Sequence, residues 1–245
     1  MNTFIIGIKN TFSPKRIAQE LIELKGREKL LLAAMIGATA LAFIFGGINA
    51  SSTLQFVLGI VTAINLILVD RGRLTNYSWG LASTVVWLLI ALNNRLIGDI
   101  ASQSYYFVMQ FIGIYMWQKA ITNNKDNENK EVKEVAPKSI SKLQASGAIA
   151  LAIIVYVIVL ATSHHLHGSQ IYLDSTLLPL AIVSQLLMTY GYKSQWIGWI
   201  LIDIVNVIIW IKLVQSGGMQ NLSMLALQIV MLINAIYGAY VWNRK

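Results

Sequence analysis

The chain has no cysteine, so disulfides, thiolate metal sites and cysteine nucleophiles are all excluded. Charge is the second scarcity. Only 12% of the 245 residues are Asp, Glu, Lys or Arg, whereas 56% are hydrophobic, and the mean hydropathy is +0.60. The few charges are also unevenly placed: none falls within residues 30–69, 74–94, 100–118, 143–173, 175–192 or 213–243. Water-soluble domains do not leave such tracts uncharged, and a helix crossing about 30 Å of hydrocarbon needs about 20 mostly apolar residues. The sequence also lacks a Walker motif, a serine nucleophile elbow and a haem attachment pattern. No cofactor is expected.

What is present reads as an all-α, polytopic membrane helix bundle. Eight spans are predicted at 30–47, 54–70, 78–94, 102–119, 147–163, 175–191, 196–213 and 220–242. With the N-terminus placed inside, every Lys and Arg except Arg95 and Lys212 falls on the inner side. The positive-inside rule then makes both termini cytoplasmic and accounts for the net charge of +8, with no nucleic-acid partner implied. Together with the absence of cysteine, this fits a multi-pass protein of a bacterial inner membrane. The breaks between spans include Gly46–Gly47 with Asn49, Ser51 and Ser52, and Gly217–Gly218.

Residues 1–29 are expected to be a cytoplasmic interfacial segment rather than a cleavable signal. Ser13 can cap a helix there, Pro14 suits its first turn, and Ile17, Leu21 and Leu24 form a stripe opposite Lys15, Arg16 and Glu23, with Gly26 as the stop. Residues 120–146, rich in Asn, Lys and Glu with Pro137, read as a polar cytoplasmic linker too hydrophilic to pack.

The two sides of this linker resemble each other. A shift of 125 residues pairs Gln103 with Gln228, Gly113 with Gly238, Tyr115 with Tyr240, Trp117 with Trp242 and Lys119 with Arg244. Nearby registers pair Gly80 with Gly198 and Asn65 with Gln185. The expected plan is an accessory span (30–53) followed by 3+1+3: a first triple-helix repeat (54–119), the linker, a linking span with its external loop (147–174), and a second triple-helix repeat (175–245). Three helices are an odd number, so one extra span is needed for both repeats to run the same way. Parallel repeats of this kind are a transporter device, with the substrate held near the midplane between them.

The chemistry concentrates on two helices. In the seventh span Trp196, Trp199, Asp203, Asn206 and Trp210 recur at helical spacing and share a face. A carboxylate at mid-span costs roughly 2.5–3.5 kcal/mol on insertion scales and marks a cavity or pathway by default. The alternative for Asp203 is a hydrogen bond tying its helix to a neighbour. The fourth span repeats the pattern with Gln103, Tyr106, Gln110, Gly113 and Trp117. The Gln110 amide must bind either a neighbouring helix or a ligand, since leaving it unpaired costs several kcal/mol. Trp87, Ser83, Asn65, Gln185, Gln228 and Asn234 extend the constellation.

Trp79, Trp117 and Trp242 sit at span ends and read as interfacial belt residues. Aromatic faces joined to amides, with no Lys or Arg at depth, suit a flat heterocycle carrying a hydroxylated ring rather than a phosphorylated ligand. His164, His165 and His167 follow the fifth span, but no carboxylate lies nearer than Asp174, so they read as a solvated, pH-sensitive loop and no metal is expected.

The run Gln195 to Trp199 followed by Asp203 and Asn206, the end Gly113 to Trp117 and the end Tyr237 to Trp242 together resemble the PnuC family of vitamin-precursor transporters over residues 30–245. The resemblance implies a fold similar to that of SWEET sugar transporters with reversed orientation, a homotrimer in the lipid bilayer, and no enzymatic activity. It further implies facilitative uptake of nicotinamide riboside, trapped by a separate cytoplasmic kinase. Trp196, Trp199, Asp203 and Asn206 match the family's pattern in the seventh span, and Gln110 matches a polar position in the fourth. Thiamine, riboflavin and deoxynucleosides are alternative cargoes in related branches. Outside the class, a membrane enzyme acting on lipid would form product without a compartment, and a receptor would bind without flux.

Overall fold

The computed structural model describes residues 2–45, 50–93, 97–124, 127–128, 130–165, 171–215 and 222–245. The Gly46–Gly47 and Gly217–Gly218 turns, His167, and the side chains of His164 and His165 lie outside the described residues. The described residues form ten α-helices: α1 Thr3–Thr11, α2 Pro14–Ile22, α3 Gly26–Phe45, α4 Ala50–Arg71, α5 Asn76–Asn93, α6 Ile97–Asn123, α7 Lys142–His165, α8 Ile171–Thr189, α9 Gln195–Gln215 and α10 Leu222–Asn243. Among the described residues, five of them are long and apolar enough to cross a membrane: Gly26–Phe45, Ser52–Arg71, Lys142–Thr162, Gln195–Lys212 and Leu225–Asn243.

Six helices close a ring in the order α4, α5, α6, α8, α9, α10, with α10 returning to α4. α3 packs outside on α4 and α10, and α7 packs outside on α8. α9 shows why the ring forms. Its exposed positions are Ile197, Leu201, Ile204, Ile208 and Ile211, while Trp196 and Asp203 on the opposite face are buried. A helix that must hide a polar stripe and can leave an apolar one uncovered turns the stripe inward, the reverse of its behaviour in water.

One end of the bundle, the basic end, gathers Arg71, Arg73 and Lys245. There α4 and α8 stop in the same way. Gly72 (φ 71°) and Gly191 (φ 74°) adopt left-handed backbone. Gly72 N–H donates to Val69 O and Arg73 N–H to Leu68 O, each at 2.9 Å; Gly191 N–H donates to Met188 O and Tyr192 N–H to Leu187 O, also at 2.9 Å. This is the Schellman stop, which requires a residue free to take positive φ.

The N-terminal segment differs from expectation. Ser13 does cap α2, accepting from Arg16 N–H, with Pro14 at its start. A separate helix, α1, precedes it and packs on α6, where Asn10 Nδ2 donates to Gln118 Oε1 at 2.9 Å. Gly26 opens α3 instead of simply ending α2, because Glu28 Oε2 accepts from Lys25 N–H at 2.7 Å and so caps the next helix. Glu20 of α2 is fully buried, bonded to Arg16 at 2.8 Å and accepting from the Thr75 hydroxyl at 2.5 Å.

The linker, too, corrects the expectation that it cannot pack. Val132 and Val135 are buried, and Asn127 is buried with its amide bridging Ile121 O and Glu134 O. Glu134 is the carboxylate on which the cations of the basic end converge: it meets Arg71 Nη2 at 2.9 Å, Arg73 Nη2 at 3.0 Å and Lys245 Nζ at 2.8 Å. Hydrophilic residues pack when their charges find partners, and three cations around one carboxylate provide them.

Burial works to raise the Glu134 carboxyl, but the charge and hydrogen bond of Lys245, with Arg71 and Arg73, outweigh it and hold the group below the usual 4.5. A carboxyl depressed in the folded state adds stability above its unfolded value and loses it as pH falls through the folded one. Acidification below about 4.5 is therefore expected to lower the thermal unfolding midpoint of the purified protein, with Glu134→Gln flattening that response. An equal acid response in both proteins would assign it to other carboxylates.

Candidate functional site

The ring places the sequence-singled residues at two levels. At the basic end lies a closed aromatic cluster of Tyr77, Trp117, Trp196 and Trp242 with Val69, Leu74, Met188 and Val135. Trp196 meets Trp242 edge-on at 6.0 Å, and Trp117 meets Trp242 at 6.2 Å. Close approach depends on two glycines. A Cβ on Gly113 would collide with the Tyr77 ring, and one on Gly238 would collide with the Trp196 ring and stand 2.5 Å from Asp70 Oδ1.

Trp117 and Trp242, expected at the membrane interface, are each only 1% exposed. Their indole N–H groups explain the burial. Trp117 Nε1 donates to Met188 O at 3.0 Å, at the end of α8, and Trp242 Nε1 donates to Asp70 O at 2.9 Å and Val69 O at 3.2 Å, at the end of α4. Both indoles bind at helix termini, where Met188 O and Val69 O each accept a second hydrogen bond beside that of the turn amide of Gly191 or Gly72. Trp79 likewise turns inward, against the cluster of Met35, Ile67 and Leu68.

Toward the middle of the bundle, Gly80 of α5 brings two amides together. A Cβ there would stand 2.7 Å from Gln110 Oε1 and 3.0 Å from Asn65 Nδ2. Asn65 Nδ2 donates to Asn76 O at 2.8 Å, whereas Gln110 Oε1 is buried and has no hydrogen-bond partner among the described residues. Ser83 and Thr62 share a hydrogen bond at 2.9 Å beside them. On the other side of the ring, Gln185 and Gln228 are buried, with Gln185 Nε2 and Gln228 Oε1 also unpartnered among the described residues. Asp203 is 3% exposed on the inner face of α9, and Trp199 and Asn206 are half-buried on that helix.

The structure does not gather all these residues around one point. Trp196 belongs to the closed cluster at the basic end, and Asn234 is engaged with Asp70, donating from Nδ2 to Oδ1 at 3.2 Å. Trp87 is half-buried on α5. Sequence reasoning missed Asp70 and Glu28, both fully buried. Their signal lay in plain view at helix ends, but a carboxylate at a span boundary is ordinarily solvated. Here Asp70 lies under α10, and Glu28 accepts from Tyr237 OH at 3.2 Å.

Apolar helices that turn unpaired amides, a carboxylate and indoles toward one another instead of toward lipid define a multi-pass membrane protein of the transporter class. Residues 52–244 match the family described as nicotinamide mononucleotide transporter, and the chain belongs to that family. It is 27% identical to the nicotinamide riboside transporter PnuC of Neisseria mucosa over 89% of this chain and 81% of that protein. It is 26% identical to the protein of the same name from Haemophilus influenzae, over 94% and 95%. Among solved structures it is similar to the crystal structure of the vitamin B3 transporter PnuC, with a TM-score of 0.75, 25% identity, and coverage of 90% of this chain and 92% of that one.

Proposed function

We propose that the protein is a facilitative carrier of nicotinamide riboside, the compound named for its relatives. It is uncoupled from ion gradients, and phosphorylation of the riboside inside the cell drives net uptake. In this reading α3 to α10 are eight spans: an accessory span and two like-oriented trios, α4–α6 and α8–α10, joined by α7. The protein sits in a bacterial inner membrane with both termini cytoplasmic and assembles as a homotrimer.

The observation that carries the reading is the likeness over nearly the whole chain to relatives bearing that name. The paired geometry of the two trios supports their equivalence. Gly72 and Gly191 end the first helix of each trio alike, Tyr77 and Trp196 press on Gly113 and Gly238, and Trp117 and Trp242 each close on the other trio's first helix. For the pocket itself, Asn65 and Gln110 of one trio and Gln185, Asp203, Asn206 and Gln228 of the other supply donors and acceptors for ribose hydroxyls and a carboxamide, with Trp87 and Trp199 as stacking faces. Trp196 and Asn234 serve the closure beneath that pocket.

A passive carrier equilibrates its cargo and does no more. Proteoliposomes are expected to take up labelled nicotinamide riboside until the internal concentration equals the external one, at a rate unaffected by proton or sodium ionophores. Accumulation that collapses with an ionophore would replace the uncoupled mechanism and point to Asp203. Thiamine, riboflavin and thymidine as competitors would identify another cargo if any of them blocked uptake more strongly than the unlabelled riboside.

A further inference from the structure

Residues 134–138 are joined to both turns at the basic end, one from each side of the ring. On the α4–α5 turn, Val135 N–H donates to Gly72 O at 2.9 Å and Glu134 pairs with Arg71 and Arg73; Glu134 is held further by Lys245 and, through its N–H, by Asn127 Oδ1 at 3.2 Å within the linker. On the α8–α9 turn, Lys138 N–H donates to Gly191 O at 2.8 Å and Lys193 N–H donates to Lys138 O at 3.0 Å. Between the joints, Val135 is inserted into the aromatic cluster and lies against Gly191.

We propose that this segment is a gating strap: it stays anchored on the α4–α5 turn through Glu134 and releases the α8–α9 turn each time the basic end opens. The inference rests on the transporter reading above. It follows from what opening requires. Cargo cannot leave at the basic end until Trp117, Trp196 and Trp242 part, and the indoles of Trp117 and Trp242 are tied to the ends of α8 and α4. Moving those ends apart pulls Gly72 from Gly191, and a strap bound to both must let go of one. Pro137 lies between the joints and holds its own φ near −65°, so the strap is poorly suited to stretching.

The two joints differ in strength. The first is a partly buried carboxylate shared by three cations, with a buried valine beside it; removing one partner there strands charge. The second consists of two backbone hydrogen bonds to Lys138, an exposed residue, where water can take over each bond at little net loss. The second joint therefore opens first. Glu134 acts as a positioning residue, holding the strap where it can close again.

Two measurements decide the matter. Hydrogen exchange needs no substrate: the amides of Lys138 and Lys193 should exchange about tenfold or more faster than those of Glu134 and Val135, because local opening exposes the weaker joint first. Equal or reversed rates overturn the proposal. The second uses the absence of native cysteine. Lys138 and Tyr192 face each other across a parallel bridge, so Lys138→Cys with Tyr192→Cys can be tied by a short bis-methanethiosulfonate that a reductant removes. Cross-linking should slow riboside uptake by about tenfold or more where opening limits turnover, with reductant restoring it and with each single variant unaffected by the reagent. Undiminished uptake by the cross-linked protein overturns the strap. If the untreated wild type carries no riboside at all, the cargo assignment fails instead, and the exchange pattern alone judges the strap.

Discussion

Replacing Gln110 by leucine should weaken riboside binding by roughly 10- to 100-fold while leaving the protein at least as stable as before. The two halves of that result have one cause. Gln110 is 8% exposed, and its Oε1 has no hydrogen-bond partner among the described residues, so the folded protein without cargo carries a buried acceptor that costs about 1–3 kcal/mol. Leucine has a similar volume and no such acceptor, so the thermal midpoint should hold or rise. Cargo, however, loses a hydrogen-bond partner in a desolvated site, and about 1.5–3 kcal/mol of lost interaction corresponds to roughly a 10- to 100-fold weaker Kd. Isothermal titration or tryptophan fluorescence reads the affinity, and differential scanning fluorimetry reads the stability. Unchanged affinity in a well-folded Gln110→Leu protein would make the amide a helix tie and remove it from the pocket.

Gly238→Ala should be among the most damaging single methyls in the ring. Its Cβ would fall on the Trp196 ring and within 2.5 Å of Asp70 Oδ1. Neither neighbour can retreat: Trp196 is wedged against Trp242, and Asp70 is fully buried and bonded to Asn234. Overpacking of this kind costs about 1–3 kcal/mol or more. The expected outcome is a lower thermal midpoint and less monodisperse protein in detergent. Gly147→Ala is the control, because a Cβ at Gly147 meets nothing within 4 Å and alanine is the better helix former. If both variants melted alike, the close approach of α9 and α10 at Gly238 would not be needed for folding.

Much of this was legible along the chain. The uncharged tracts anticipate the eight long helices α3 to α10 within a few residues, and the spacing from Trp196 to Trp210 anticipates which face of α9 turns inward. Ser13 and Pro14 mark the start of α2 because capping is a local rule that three or four residues satisfy. Local reading failed wherever a residue's partner was remote. Trp117 and Trp242 stand where belt tryptophans stand, and only the carbonyls of Met188 and Asp70 make them core residues. The linker looks unpackable until Glu134 is seen among Arg71, Arg73 and Lys245. Gly26 reads as a stop because glycine often is one, and Glu28 overrules it by capping α3.

The order of charges and apolar runs was enough to establish a helical membrane protein, since the cost of placing charge in hydrocarbon is set residue by residue and does not wait for a fold. Which buried polar groups meet, which have no partner among the described residues, and what ties the basic end together all depended on distances between residues far apart in the chain. Asp70 and Asn234, separated by 164 positions, become neighbours only after six helices have closed their ring, and no periodicity along a single helix encodes that closure.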